Sequence, residues 1–185
     1  VADDDVVARA KDGDGDAWRV LYRAHAGRLT VWLTTRDCGD SALSAEDVAA
    51  EAWLVAADKI HGFSGSSDDF AGWLFGIARL VNANTRRRSS RRRTTPGEVE
   101  AHAQPVADPT LVIDQLGWVR DVLSALPERE RDVIGCMEVV GLDTAATARA
   151  LGMSAGAVRV ARHRGLRRLR GSYDERPLAA SGDPA

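Results

Sequence analysis

Three clusters of charged residues carry the chemistry open to this sequence. The first is NANTRRRSSRRRTTPGE (residues 82–98), which packs six arginines into the eight residues from Arg86 to Arg93 with no acid to balance them. The second is SAGAVRVARHRGLRRLR, running from Ser154 to Arg170 and carrying Arg159, Arg162, His163, Arg164, Arg167, Arg168 and Arg170. The third is acidic and consists of Glu46, Asp47 and Glu51. Guanidinium groups at this density suit phosphates, which they grip through charge-assisted, often bidentate hydrogen bonds. Carboxylates on successive turns of a helix suit a basic protein surface.

Catalytic groupings are not apparent. No nucleophile stands beside a base, no metal constellation is spaced for ligation, and no glycine-rich phosphate loop follows a strand pattern, so neither an enzyme nor a cofactor is expected. Cys38 and Cys136 lack CxxC spacing and read as idle thiols packed like small hydrophobes. No apolar run approaches the roughly 20 residues needed to cross a bilayer, and the acidic start is unlike a secretory signal. The expectation is a cytoplasmic protein without membrane insertion.

The formal net charge of -2 conceals a strong sorting of charge along the 185 residues. Residues 1–72 carry -7 and residues 73–95 carry +7; residues 96–148 carry -7 and residues 149–170 carry +7. Two acid-free basic segments, each following an acidic one, imply two modules that each turn a basic face to a polyanion. Only Lys11 and Lys59 among 25 basic residues are lysine, so clustering is better evidence than count.

The elements that must position these clusters are helices, since aromatics make up only 5% of a chain rich in Ala, Leu and Val. Trp18, Leu21, Tyr22, Leu29, Trp32 and Leu33 recur at three- and four-residue steps over 16–36, which predicts one buried stripe. Ser44 caps a helix with acids in its first turn. After the loop HGFSGSSDD, a third helix starts near Asp69 and carries Phe70, Trp73, Leu74, Ile77, Ala78 and Val81 into the arginine run. For Trp73 core packing is the stronger reading, because large aromatics at helical spacing are usually buried. Arg86 to Arg88 should ride on that helix, with order fading at Ser89 and Ser90 and Arg91 to Arg93 leading into a linker. The predicted fold is all-α: residues 1–95 form one helical domain, 96–109 a flexible linker, 110–170 a second domain, and 171–185 a disordered tail.

The second module has the more mechanistic pattern. Asp143 can cap the short helix TAATARAL, Gly152 supplies a turn, and the basic helix follows. Ala148, Gly152 and Val158 occupy the places where a helix-turn-helix needs a small residue, a residue tolerant of positive φ and an apolar lock. On the second helix Val158, Ala161, Gly165 and Leu169 share a face, leaving the arginines for a major groove and its phosphates. Arg162 projects beside the apolar stripe and is expected to snorkel outward.

With both modules in view, the order of features resembles the sigma-70 family of bacterial transcription initiation factors, in its extracytoplasmic function class. The family's early Gly-Asp, Ala and Leu-Tyr pattern is met by Gly13, Asp14, Ala17, Leu21 and Tyr22. Its acidic helix is similar to Ala45, Glu46, Asp47, Glu51 and Trp53, and its WLxxIAR signature stands at Trp73, Leu74, Ile77, Ala78 and Arg79. LPxxxR is matched by Leu126, Pro127 and Arg131, and LGxSxGxV[KR] by Leu151, Gly152, Ser154, Gly156, Val158 and Arg159. The departures fall at Ala50, Leu80, Asn84, Ala146, Thr147 and Ala157, and bear on fine promoter specificity rather than on class.

The resemblance implies core RNA polymerase and promoter DNA as partners, with an anti-sigma factor by family analogy. It places polymerase contacts on Glu46, Asp47 and Glu51. It places contacts with the minus-ten element, melted strand included, on Phe63, Ser64, Trp73, Arg79, Asn82, Arg86, Arg87 and Arg88. For the minus-thirty-five element it implies Ser154, Gly156, Arg159, Arg162, His163, Arg164 and Arg167. Two other readings stand beside it: a free-standing helix-turn-helix regulator with a ligand-sensing N-terminal domain, and a protein-interaction adaptor whose arginines are merely solvated.

Overall fold

The computed structural model describes residues 4–36, 44–94 and 110–174, and every regular element among them is helical. Cys38, the linker 96–109 and residues 175–185 of the tail lie outside the described residues.

Helix α1 (Asp4–Lys11) turns at Gly13, whose φ of 86° suits glycine, into α2 (Gly15–Thr34). Asp14 caps α2 by accepting the backbone N–H groups of Asp16 and Ala17 at 2.8 and 3.3 Å. Its other oxygen is held by Arg9, and that hydrogen bond, with those from the two backbone amides, keeps the carboxyl below its usual range. Helix α3 (Ala45–Lys59) starts in a reciprocal capping box, where Ser44 Oγ accepts the Asp47 N–H at 3.1 Å and the Asp47 carboxylate accepts the Ser44 N–H at 3.0 Å.

Helix α4 (Ser67–Thr94) is the longest element and passes through the whole arginine run. The division expected at Ser89 and Ser90 is therefore absent from the backbone, and Arg91 to Arg93 are helical rather than linker. The first true breaker is Pro96, which also disfavours helical geometry at Thr95. Leu29, Trp32 and Leu33 of α2, Val48, Ala52 and Ala56 of α3, and Phe70, Leu74, Phe75 and Ala78 of α4 form the core. The Trp32 and Phe75 rings lie 5.3 Å apart within it. Tyr22 departs from the expected stripe: it is 54% exposed.

The second module comprises α5 (Thr110–Ser124), α6 (Glu128–Ile134), a wide π turn over Gly135–Val139, α7 (Thr144–Leu151) and α8 (Ala155–Asp174). Asp143 caps α7 by accepting the Ala146 N–H at 2.7 Å, and Gly152 ends it with φ of 64°, so α7, turn and α8 form the expected helix-turn-helix. Val158, Ala161 and Gly165 are buried and Leu169 is half-buried, which is the face projected from sequence. A Cβ at Gly165 would lie 2.9 Å from the Ile134 side chain, so glycine is required there for α8 to approach α6. Helix α8 continues to Asp174, four residues into the expected tail, because no breaker intervenes before Pro177.

Thr147 is wholly buried, and its hydroxyl has no hydrogen-bond partner among the described residues. Thr147→Val keeps the shape and removes the desolvated hydroxyl, whose burial typically costs about 1–3 kcal/mol. The expected result is a stability gain of about 1 kcal/mol in denaturant unfolding; equal or lower stability contradicts it.

The arrangement of the two modules was not legible from the pattern. Helix α7 lies directly on α4, and buried residues of both modules join in one apolar cluster extending from Val7 to Ala161.

Candidate nucleic-acid and protein interfaces

On α3 the three acids are exposed, because the helix buries Val48, Ala49, Ala52 and Ala56 on its other side. Glu46 and Glu51 project into solvent, whereas Asp47 also serves the cap. Beside Asp47 and Glu51 stands an apolar patch that sequence reasoning missed. Leu54 is 73% exposed, and the rings of Tyr22 and Trp53 lie 5.1 Å apart at the rim of a groove that also includes Trp18. Leu54 follows Asp47 by seven positions and Glu51 by three, so helical spacing was the available signal. An exposed apolar patch with an acidic edge is the composition of a protein docking face.

The residues assigned to melted DNA occupy three different environments. Phe63 is buried: its ring stands edge-on to Phe70, 4.9 Å from the Trp73 ring, with the Lys11 ammonium 5.7 Å from its centroid. Lys11 also donates to the Phe63 carbonyl at 2.6 Å. Neighbouring rings cover Phe63, so this arrangement presents no open stacking surface there. Ser64 is exposed, and Trp73 is half-buried, in keeping with a core role. Arg79 is half-buried and donates through Nε to the Ala150 carbonyl at 3.1 Å, and Asn82 is buried. Arg86, Arg87 and Arg88 are exposed on the helix beyond the packed region.

On α8 the structure divides the cations by their neighbours. Arg162 does point outward, but its Nε donates to the Glu138 carboxylate at 2.6 Å, an attachment that raises its already high basicity. Arg168 pairs with Glu130 at 2.9 Å. Arg159, His163, Arg164 and Arg167 are exposed and make no ion pair among the described residues. Ser154 caps α8, its hydroxyl oxygen accepting the Ala157 N–H at 3.2 Å, and Gly156 is open to solvent in the first turn. The helix thus presents an uncovered N-terminal turn and a row of exposed arginines without ion-pair partners among the described residues, which is what a recognition helix offers a major groove.

Burial, with help from Arg28, holds His25 down to about 4, so it is neutral at neutral pH. Burial pushes the Cys136 thiol up to about 12, which leaves it protonated and unreactive. Among the described residues no group of three or more His, Cys, Asp or Glu side chains is placed to hold a metal ion. No described helix is long and apolar enough to cross a membrane.

Two family descriptions match the chain, Sigma-70 region 2 over residues 21–93 and Sigma-70, region 4 over residues 116–169. The ECF RNA polymerase sigma factor SigD of Mycobacterium tuberculosis is 33% identical over 98% of this chain and 86% of its own length. The ECF RNA polymerase sigma factor ShbA of Streptomyces griseus is 30% identical, over 89% of this chain and 92% of its own. Among solved structures, CnrH in complex with the cytosolic domain of CnrY has a TM-score of 0.70 at 22% identity, covering 96% of this chain and all of that one. The sigma factor RpoE of Bartonella quintana, bound to the anti-sigma factor NepR, has a TM-score of 0.62 at 18% identity, covering 89% and 100%. These two likenesses concern the fold.

Proposed function

The chain belongs to the sigma-70 family of RNA polymerase sigma factors, in its extracytoplasmic function class, and from that premise we propose a division of labour among its surfaces. As an alternative sigma factor it binds core RNA polymerase and directs initiation at its own promoters. Membership displaces both the free-standing regulator and the adaptor.

In this reading residues 1–95 bind polymerase and the minus-ten element, and residues 110–170 bind the minus-thirty-five element. Glu46 and Glu51 meet basic groups of polymerase, with Leu54, Tyr22 and Trp53 as apolar anchors beside them. Arg86 to Arg88 neutralise phosphates near the melted segment, with Ser64 and Trp73 at the edge of the base-binding region. The first turns of α8 read the duplex. The observation that carries this assignment is the segregation of surfaces: an acidic and aromatic face on α2 and α3, and two arginine faces on α4 and α8.

The protein supplies binding energy and strand positioning, and leaves bond formation to polymerase. It acts in the cytoplasm, where polymerase and chromosome meet. An anti-sigma factor, of the kind that NepR is to RpoE of Bartonella quintana, completes the proposal.

The test is reconstitution. Purified chain added to core polymerase should start transcription from a reproducible subset of promoters in a genomic library, where core alone starts none of them. No stimulation on any fragment overturns the reading.

A further inference from the structure

Where the end of α2, the middle of α4, α6 and the turn between α7 and α8 meet, a cleft of about 270 Å³ has four arginines in its walls, Arg36, Arg79, Arg86 and Arg129. Two acids, Glu128 and Asp132, share the lining, which leaves a net excess of two positive charges. Arg36 and Arg129 belong to neither set of residues assigned to promoter DNA, and a cleft of this size excludes a duplex. The excess therefore has a source other than promoter binding.

The four side chains differ in what they still have to donate. Arg36 is held in place, its guanidinium carbon 4.6 Å from the Trp32 ring centroid and its Nη1 paired with Asp132, so that acid is already neutralised. Arg79 is half-buried and uses its Nε on the Ala150 carbonyl at 3.1 Å. Its Nη2 stands 3.6 Å from the place a Cβ on Gly152 would take, beside the turn that forms one wall of the cleft. Arg86 follows seven positions later and Asn82 three, so α4 turns all three toward the same side. Asn82 is only 2% exposed and adds an amide to the wall. Arg129 comes from α6, is exposed, and makes no ion pair among the described residues.

A guanidinium offers five N–H donors and accepts nothing. Several of them converging on one cleft suit a compact ligand with many anionic oxygens, which a single carboxylate does not supply. A diphosphate group does, because each tetrahedral phosphorus presents paired oxygens to the arginine fork. The volume lies just below the ~300–1,000 Å³ usual for drug-sized ligands, which also favours a small anion. Buried Leu151 and half-buried Met153 give the cleft one apolar side, against which a base can pack when the diphosphate belongs to a nucleotide.

We propose that this cleft binds a diphosphate group, carried by free pyrophosphate or by a nucleoside diphosphate, through Arg79, Arg86 and Arg129, with Arg36 and Asp132 fixing the wall behind it. The site itself goes beyond the sigma-factor reading. One consequence rests on that reading: Arg79 and Arg86 also belong to the minus-ten set, so the bound anion and promoter DNA compete for them.

The experiment is calorimetric titration of the full chain with sodium pyrophosphate, without polymerase, DNA or divalent cations and at fixed ionic strength. Saturable binding of one anion per chain is expected. Arg129→Gln should weaken it at least tenfold, whereas Arg120→Gln, which removes the same charge from an exposed position on α5 outside the cleft, should change it less than twofold. Both side chains are exposed, so neither variant endangers the fold. No saturable binding, a smaller loss in Arg129→Gln, or equal weakening by the two variants overturns the site and leaves only diffuse attraction of anions. Titration with ADP separates the two sources: tighter binding than pyrophosphate assigns the cleft to a nucleotide, and equal or weaker binding assigns it to the free anion. Failure of these titrations leaves the sigma-factor reading standing, and a chain that initiates from no promoter sinks that reading without touching the anion site.

Discussion

Reversing charge at Glu46 and Glu51 to lysine is expected to weaken binding of the chain to core polymerase at least a hundredfold while destabilising its fold by no more than about 1 kcal/mol. Both side chains are exposed and neither belongs to the capping box of α3; Glu46→Lys removes only a first-turn acid, whose interaction with the helix dipole is worth about 0.3–1 kcal/mol. Close charge pairs across protein interfaces couple by about 1.5–7 kcal/mol, and reversal adds repulsion to the loss of attraction. A hundredfold change in Kd corresponds to about 2.8 kcal/mol, which lies toward the low end of that range. Asp47 is the wrong residue for a clean test, although the sequence pattern groups it with the others. Its carboxylate accepts the Ser44 N–H, so Asp47→Lys also removes half of a capping box, and losing such a cap typically costs about 1 kcal/mol. Titration of labelled core polymerase with the double variant decides the matter. Unchanged affinity would remove α3 from the polymerase face.

What the sequence made legible is what local chemistry controls. Ser44, Asp143 and Gly152 each mark a helix end through a hydrogen bond or a backbone angle that neighbouring residues determine, and each lies where its type predicts. Trp73 was legible as a core residue from helical spacing. The course of α4 past Ser90 was less so, because two adjacent serines read as the place where helical order fades, whereas the helix runs on through Thr94. The burial of Phe63 was not legible, because a Gly- and Ser-rich loop carries no periodicity, and the rings of Phe70 and Trp73 that pack against it come from the next helix. Tyr22 shows the converse, since periodicity assigns a large apolar residue to the core without knowing whether another helix arrives to cover it.

Arg79 could not have been placed by any projection of α4 alone, because the Ala150 carbonyl that holds it belongs to another module. The trace of that contact was nevertheless present as Gly72 and Gly76, four apart, opposite Ala146 and Ala150, four apart. Reading it required the knowledge that the two segments meet, which is a tertiary fact.

The same logic of neighbours sets the second large expectation, on the recognition helix. Arg159→Ala should reduce discrimination between the preferred minus-thirty-five sequence and a mismatched one by about ten- to a hundredfold, whereas Arg162→Ala should leave that ratio unchanged. A good bidentate contact with a base is worth about 1–3 kcal/mol of discrimination, and the N-terminal residues of a recognition helix are those that reach base edges. Arg159 stands on the second turn of α8, exposed and without a carboxylate partner among the described residues. Arg162 is only three residues further on, but its guanidinium is turned toward Glu138. Removing it loses a surface ion pair rather than a contact with DNA. Arg164 and Arg167 supply the contrast, since phosphate contacts weaken all sequences alike and each one lost reduces the salt dependence of binding by about 0.9 in logarithmic slope. Competition binding of reconstituted holoenzyme to matched and mismatched duplexes, repeated over a salt series, separates the two behaviours. Equal loss of discrimination in Arg159→Ala and Arg162→Ala would mean that Glu138 releases its arginine to the DNA, and that the division of α8 by its ion pairs does not survive docking.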